Sequence, residues 1–158
     1  MTTMNTTTLS ETVRKNARPE IADWLSAFVE RHGAFVGSVH LAGLAGEDEI
    51  VLVAAHNLPA AVANGAAVVP LGKGLAGATA ERQAAIGLTD LQTDTSGVAR
   101  PAACVSDAKG SLTLPVFAPE DPARLLAVVG LGFEVPRQFT EEGMAAYGAD
   151  ATTVLDVA

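Results

Sequence analysis

The chain is 158 residues long, 49% hydrophobic and 18% charged, which is the size and mix of one globular domain able to bury a core without staples. A formal charge of -8 with no Lys/Arg cluster argues against nucleic acid and anionic membrane surfaces as partners. The single cysteine, Cys104, excludes an internal disulfide and a multi-cysteine zinc site.

Residues 1–7 are polar, Thr-rich and unpatterned, and read as a flexible tail; a single domain is expected over residues 8–158. The N-terminus has no apolar run of signal-peptide type, and no segment approaches the length of a membrane span, so the chain reads as cytoplasmic. Thr8-Leu9-Ser10-Glu11 fits a capping box and opens a first helix. Arg18-Pro19 re-aims the chain into a second helix, with Ile21, Trp24, Leu25 and Phe28 on one face and its end at Gly33.

From Ala34 the period changes to that of strands. Residues 35–41 and 50–55 predict a hairpin turned by Gly46-Glu47-Asp48. Asn57-Leu58-Pro59 ends the second strand, residues 60–67 predict a short helix broken at Asn64-Gly65, and Val68-Val69-Pro70 predicts a short edge strand. Residues 76–83 predict a helix and residues 85–88 a short strand. The stretch 89–109 is long for a connection, and loops of that length are commonly lids or binding loops. Residues 111–117 and 125–133 predict two apolar strands, paired antiparallel by the short polar link 118–123. Thr140 caps a last helix with Glu141 and Glu142 in its first turn, and Phe139 is placed to staple onto Met144. The sum is an α+β fold: a mostly antiparallel sheet with the terminal helices together on one face.

Gly72-Lys-Gly-Leu-Ala-Gly77 satisfies G-x-G-x-x-G, with Asp90 and Asp94 near the distance of a ribose-binding acid. The context opposes a dinucleotide fold, because the strand before it is very short and contains Pro70 and the later strands are joined antiparallel. A phosphate-binding P-loop fails because Ala67 stands where its first glycine belongs. The glycines predict a tight turn into a short helix, whose free N-terminal N–H groups could also face a ligand.

Val69-Pro-Leu-Gly-Lys-Gly-Leu-Ala-Gly77, Leu88-Thr-Asp-Leu-Gln-Thr-Asp94, Gly110-Ser-Leu-Thr-Leu-Pro-Val116, Val129-Gly-Leu-Gly132 and Arg137-Gln-Phe-Thr-Glu-Glu142 together resemble the ordered landmarks of a GAF domain, from about residue 20 onward. The resemblance implies a central antiparallel sheet, a ligand cavity between one sheet face and a layer of loops and short helices, terminal helices that make a homodimer, and a GAF protein without an output domain. It implies a sensory or regulatory function, a small-molecule ligand under the 89–109 loop and a separate signalling protein as partner. GAF folds differ widely in ligand, so the fold does not name the cofactor, if any.

Subclasses separate by residue. The cyclic-nucleotide type's Asn-Lys-Phe-Asp-Glu set cannot be laid onto this chain, and the bilin type needs a histidine where Val105 follows Cys104. Free methionine-(R)-sulfoxide reductase is the enzymatic alternative: Cys104 stands at the distance from Leu114-Pro115 that its catalytic cysteine would have. Val105, Ser111 and Ala76 replace an acid, a glutamate and a second cysteine of that family. Sulfoxide reduction needs a thiolate, acids to protonate the departing oxygen and a resolving thiol, of which this chain offers the first. A haem sensor is the second alternative, needing an axial histidine from His40 or His56 on adjacent predicted strands. No ligand spacing supports a nonhaem metal site.

The candidate ligand-binding residues are Arg100, which would clamp an anion if it points inward, Cys104, Asp94, Thr113 and His40. Thr113 alternates with Leu112 and Leu114 and therefore faces away from them, toward the cavity.

Overall fold

The computed structural model describes residues 8–90, 92–93 and 108–158. Helix α1 (Glu11–Asn16) is capped by Ser10, whose hydroxyl accepts from Val13 N. The expected cap at Thr8 is displaced for a visible reason. Asn64 accepts from Ser10 N at 2.7 Å and donates to Thr8 O at 2.9 Å, holding residues 8–10 outside the helix. Helix α2 (Pro19–Arg31) begins with proline at its first turn, where a missing N–H costs nothing, and Arg18 N donates to Val53 O at 2.8 Å.

Strands β1 (Val36–Ala42) and β2 (Glu49–His56) form the expected antiparallel hairpin, with a register shift between Val39 and His40. Helix α3 (Ala60–Gly65) is followed by edge strand β3 (Val68–Pro70), helix α4 (Gly74–Arg82) and short strand β4 (Ile86–Leu88). Strands β5 (Ser111–Ala118) and β6 (Asp121–Gly132) complete the sheet. The link between them was expected to span 118–123. Instead, β6 runs back to Asp121 and leaves Pro119-Glu120 as the turn, with Pro122 tolerated near the strand's start. Helix α5 (Glu141–Ala151) is capped by Thr140, which accepts from Gly143 N at 3.0 Å, and passes into a 3-10 turn (Thr152–Asp156).

The six strands lie in the order β3-β2-β1-β6-β5-β4, and each pairing is antiparallel. This is the α+β architecture expected. On one face the main core joins Ile21, Leu25 and Phe28 of α2 to Val39, Leu114, Val129 and other inward residues of the sheet, closed by Ala151 and Val154. The terminal helices meet there. Trp24 stacks on Phe28 and donates to Thr153 Oγ1 at 2.8 Å, so it lies at a seam within the chain. Asp150 accepts from Arg31 and His32, while the His32 ring packs between Phe28 and Tyr147. On the other face, α3 and α4 cover the sheet through separate aliphatic clusters. Among the described residues, no helix is long and apolar enough to cross a membrane.

The glycine stretch is a turn that launches α4. Gly72 (φ +85°) and Gly74 (φ +65°) take left-handed backbone, and Gly72 N donates to Gly77 O at 2.7 Å. Gly77 is bare for a different reason: a Cβ there would stand 2.4 Å from Pro70 O, a backbone atom that cannot swing aside. Gly77→Ala should therefore destabilise the fold by about 2 kcal/mol in urea unfolding, overpacking outweighing the gain in helix propensity. Gly65→Ala, with open space around its Cβ, should be neutral or slightly stabilising in the same measurement.

Candidate functional site

The alternation of β1, β5 and β6 decides what stands beneath α3 and α4. Val39, Leu112, Leu114, Val129 and Leu131 all point to the α2 side. Their neighbours Ser38, Thr113, Gly130 and Gly132 point the other way. Registry places Ser38, Gly130 and Thr113 in one cross-strand row and Val36, Gly132 and Ser111 in the next, with a glycine at the centre of each. The result is a cavity of about 250 Å³ between the sheet and the α3/α4 layer, lined mainly by aliphatic groups such as Leu58, Val62, Val69 and Leu75.

His40 stands in its wall and is 2% exposed. Its Nε2 lies 2.8 Å from Ala66 O, and since a carbonyl only accepts, Nε2 carries the proton. Burial pushes its pKa down to about 4, against which the Ala66 hydrogen bond works in the opposite direction, so the ring is neutral at pH 7. Nδ1 is then an acceptor, and it is buried without a hydrogen-bond partner. A strand histidine on a polar face is ordinarily half-exposed, as His56 is; His40 departs from that because α3 covers it.

Thr113 lies in the cavity wall as its alternation requires, but its hydroxyl is hydrogen-bonded to that of Thr79 on α4, both side chains being buried. The pair ties α4 to β5, and one of the two hydroxyls keeps a hydrogen to give. Lys73 is exposed at the cavity rim, followed by Gly74, Leu75 and Ala76 of the first turn of α4 in the lining. No side chain caps that turn. Asp90 has a local role, accepting from Gln92 N at 3.0 Å. The structure thus brings His40 and Thr113 to one cavity, while Asp94, Arg100 and Cys104 lie outside the described residues. The glycine rows and the half-satisfied histidine were not among the expected features; the small residues of 129–132 were the only sequence sign of the former.

Of the two histidines considered for a haem, His40 has its Nε2–H committed to the carbonyl of Ala66, and His56 is not among the residues that line the cavity. Among the described residues, no group of three or more His, Cys, Asp or Glu side chains stands together as a metal site.

No family model and no curated protein matches the sequence. Solved structures do. The GAF domain of a phosphoenolpyruvate-protein phosphotransferase from Coxiella burnetii superposes with a TM-score of 0.68 at 22% identity, covering 92% of this chain and 89% of that one. Free methionine-R-sulfoxide reductase from Neisseria meningitidis, in complex with its substrate, gives 0.66 at 22% identity over 87% of this chain and 74% of that one. The type II reductase from Thermoplasma acidophilum gives 0.60 at 12% identity, covering 91% and 96%. At these identities the likeness speaks for architecture alone: the chain has the GAF fold.

Proposed function

We propose that the protein is a small-molecule-binding regulatory domain of the GAF type, whose ligand occupies the cavity between the sheet and the α3/α4 layer. The observation that carries this reading is the cavity itself. It is aliphatic, it holds a few convergent polar groups, and one of them, His40 Nδ1, lacks any partner. The 89–109 stretch leaves β4 at one side of this region and returns at Ala108, which lines the cavity. Its ordering over a ligand would shift a pre-existing equilibrium that a partner protein reads. A cytoplasmic homodimer joined through the terminal helices is part of the same proposal.

The second reading is a thiol-dependent oxidoreductase using Cys104, favoured by the reductase structures among those of like fold. Positions 76 and 111 weigh against it. Both face the cavity, and they carry alanine and serine where the resemblance would have a second thiol and a glutamate. Cys104→Ser separates the two: turnover of free methionine sulfoxide with a thiol reductant, lost in the variant, would establish the enzyme. A sensor shows no turnover in either form.

Ligand occupancy should raise the melting temperature of the full chain, by linkage. Removing co-purified small molecules by unfolding and refolding should lower it, and mass spectrometry of the released material should find a stoichiometric compound. Gly130→Ala sets a Cβ 2.7 Å from Ser38 Oγ, a contact a serine rotamer can relieve, so it should fold yet weaken that compound's binding about tenfold by filling the cavity floor.

The neutral His40 also predicts a pH dependence. Its folded pKa is about 4 against 6.5 unfolded, so between these values the unfolded chain binds a proton that the folded chain refuses. Stability should fall as pH drops through this window, by about 3 kcal/mol from this group, and no further below it. Urea titrations at pH 7 and pH 4 should show that share of the loss absent in His40→Leu.

A further inference from the structure

We propose that the cavity takes a small, mainly aliphatic carboxylate carrying one neutral hydrogen-bond donor, a hydroxyl or amide N–H, which His40 Nδ1 reads. The inference rests on the ligand-binding reading above and narrows it to a class.

Three observations converge. The first is the orphaned acceptor. Buried polar atoms in native proteins are almost always paired, and exceptions point to a missing partner. Nδ1 has almost no accessible surface and no partner among the protein's own groups. The imidazole forms part of the cavity wall, so a donor held inside would meet Nδ1 once the ring turns toward it. Because the ring is neutral, it accepts a hydrogen bond and offers no positive charge to an anion.

The second observation concerns charge. Among the described residues, no Asp or Glu lines the cavity, so a buried ammonium would find no counter-charge there. An anion is better served. The first turn of α4 enters the lining without a side-chain cap, its N–H groups lack intrahelical acceptors by the geometry of a helix start, and Lys73 stands exposed at the rim. The Glu81 carboxylate lies against Gly72 of the same turn but is not among the residues that line the cavity. One helix start and one lysine match a monoanion.

The third is the body of the cavity. Leu58, Val62, Val69 and Leu75 line much of the rest of it, which suits a short branched or unbranched aliphatic chain.

Four probes separate the parts of the proposal: 2-hydroxyisocaproate, isocaproate, 4-methylpentane-1,2-diol and leucine. Each is titrated into refolded, ligand-free full-length protein while the amide resonances of Ala66, Gly130 and Gly132 are followed by NMR. The hydroxy acid should bind about tenfold tighter than isocaproate, and tighter than the diol or the zwitterion. His40→Leu should erase the difference between hydroxy acid and plain acid while leaving the plain acid's affinity in place. His40→Gln, which keeps an acceptor, should restore much of it. Equal affinity of the two acids for the wild type, or a difference that survives His40→Leu, overturns the role of His40. Preference for leucine or the diol overturns the carboxylate class while leaving a ligand-binding cavity standing. If no probe perturbs these amides, the class is overturned; if pressurised xenon also leaves them unmoved, the cavity is closed and the underlying reading falls with it.

Discussion

The structure depends on the absence of side chains at two positions of one central strand. β6 lies between β1 and β5, and it alternates large and small: Val129 and Leu131 toward α2, Gly130 and Gly132 toward α4. A methyl group at Gly132 would come within 2.4 Å of Val36 Cγ2 and 2.9 Å of Ala108 Cβ. Flanking residues have thus closed in over the bare backbone at Gly132, while serine and threonine flank Gly130. The same two-residue period that builds a dense core on one face leaves too little volume on the other to fill the space under α3 and α4. The cavity is a consequence of register, and a one-residue slip of β6 would put valine and leucine into it and glycine into the core.

The opposite face shows what this arrangement requires elsewhere. A sheet hollow on one side must draw its stability from the other, and there α2 buries Ile21, Leu25 and Phe28 completely. The contact between terminal helices looks ionic at first sight, with Asp150 accepting from Arg31 at 2.6 Å and His32 at 2.6 Å. Partial burial pushes the Asp150 carboxyl up, but the hydrogen bonds from His32 and Arg31 and the charge of the arginine outweigh it and hold it below its ordinary value. Arg31 is about half exposed, however, and pairs of that kind contribute little. The ring contacts running from Trp24 through Phe28 and His32 to Tyr147, stacked, edge-on and tilted in turn, contribute more.

Most of the architecture was legible because it follows from period and from helix punctuation. Pro19, Thr140 and the face of Ile21, Leu25 and Phe28 act locally, and their elements lie where local rules put them. The departures have non-local causes. Thr8 lost its capping role to Ser10 because Asn64, more than fifty positions away, holds the backbone there. Pro119-Glu120 became a two-residue turn because pairing with β5 carried β6 further than its apolar pattern extends. Alternation correctly put Thr113 on the cavity side, but alternation names a face and not a partner. Nothing local announced that Thr79 would take its hydroxyl, or that α3 would cover His40 and satisfy only one of its nitrogens.

His40 is also where the cavity meets the N-terminal part of the fold. Its Nε2 holds the carbonyl of Ala66, the residue that ends α3. Asn64, two positions earlier, grips residues 8–10, and Ala63 and Ala67 pack with Val13 of α1 and Leu52 of β2. From β2, Val53 O accepts from Arg18 N at the entry to α2. Spatial continuity of this kind does not amount to coupling, which needs an element with two arrangements that both ends bias. What the structure shows is the shared ring: His40 lines the cavity, and its Nε2–H holds the carbonyl that ends α3.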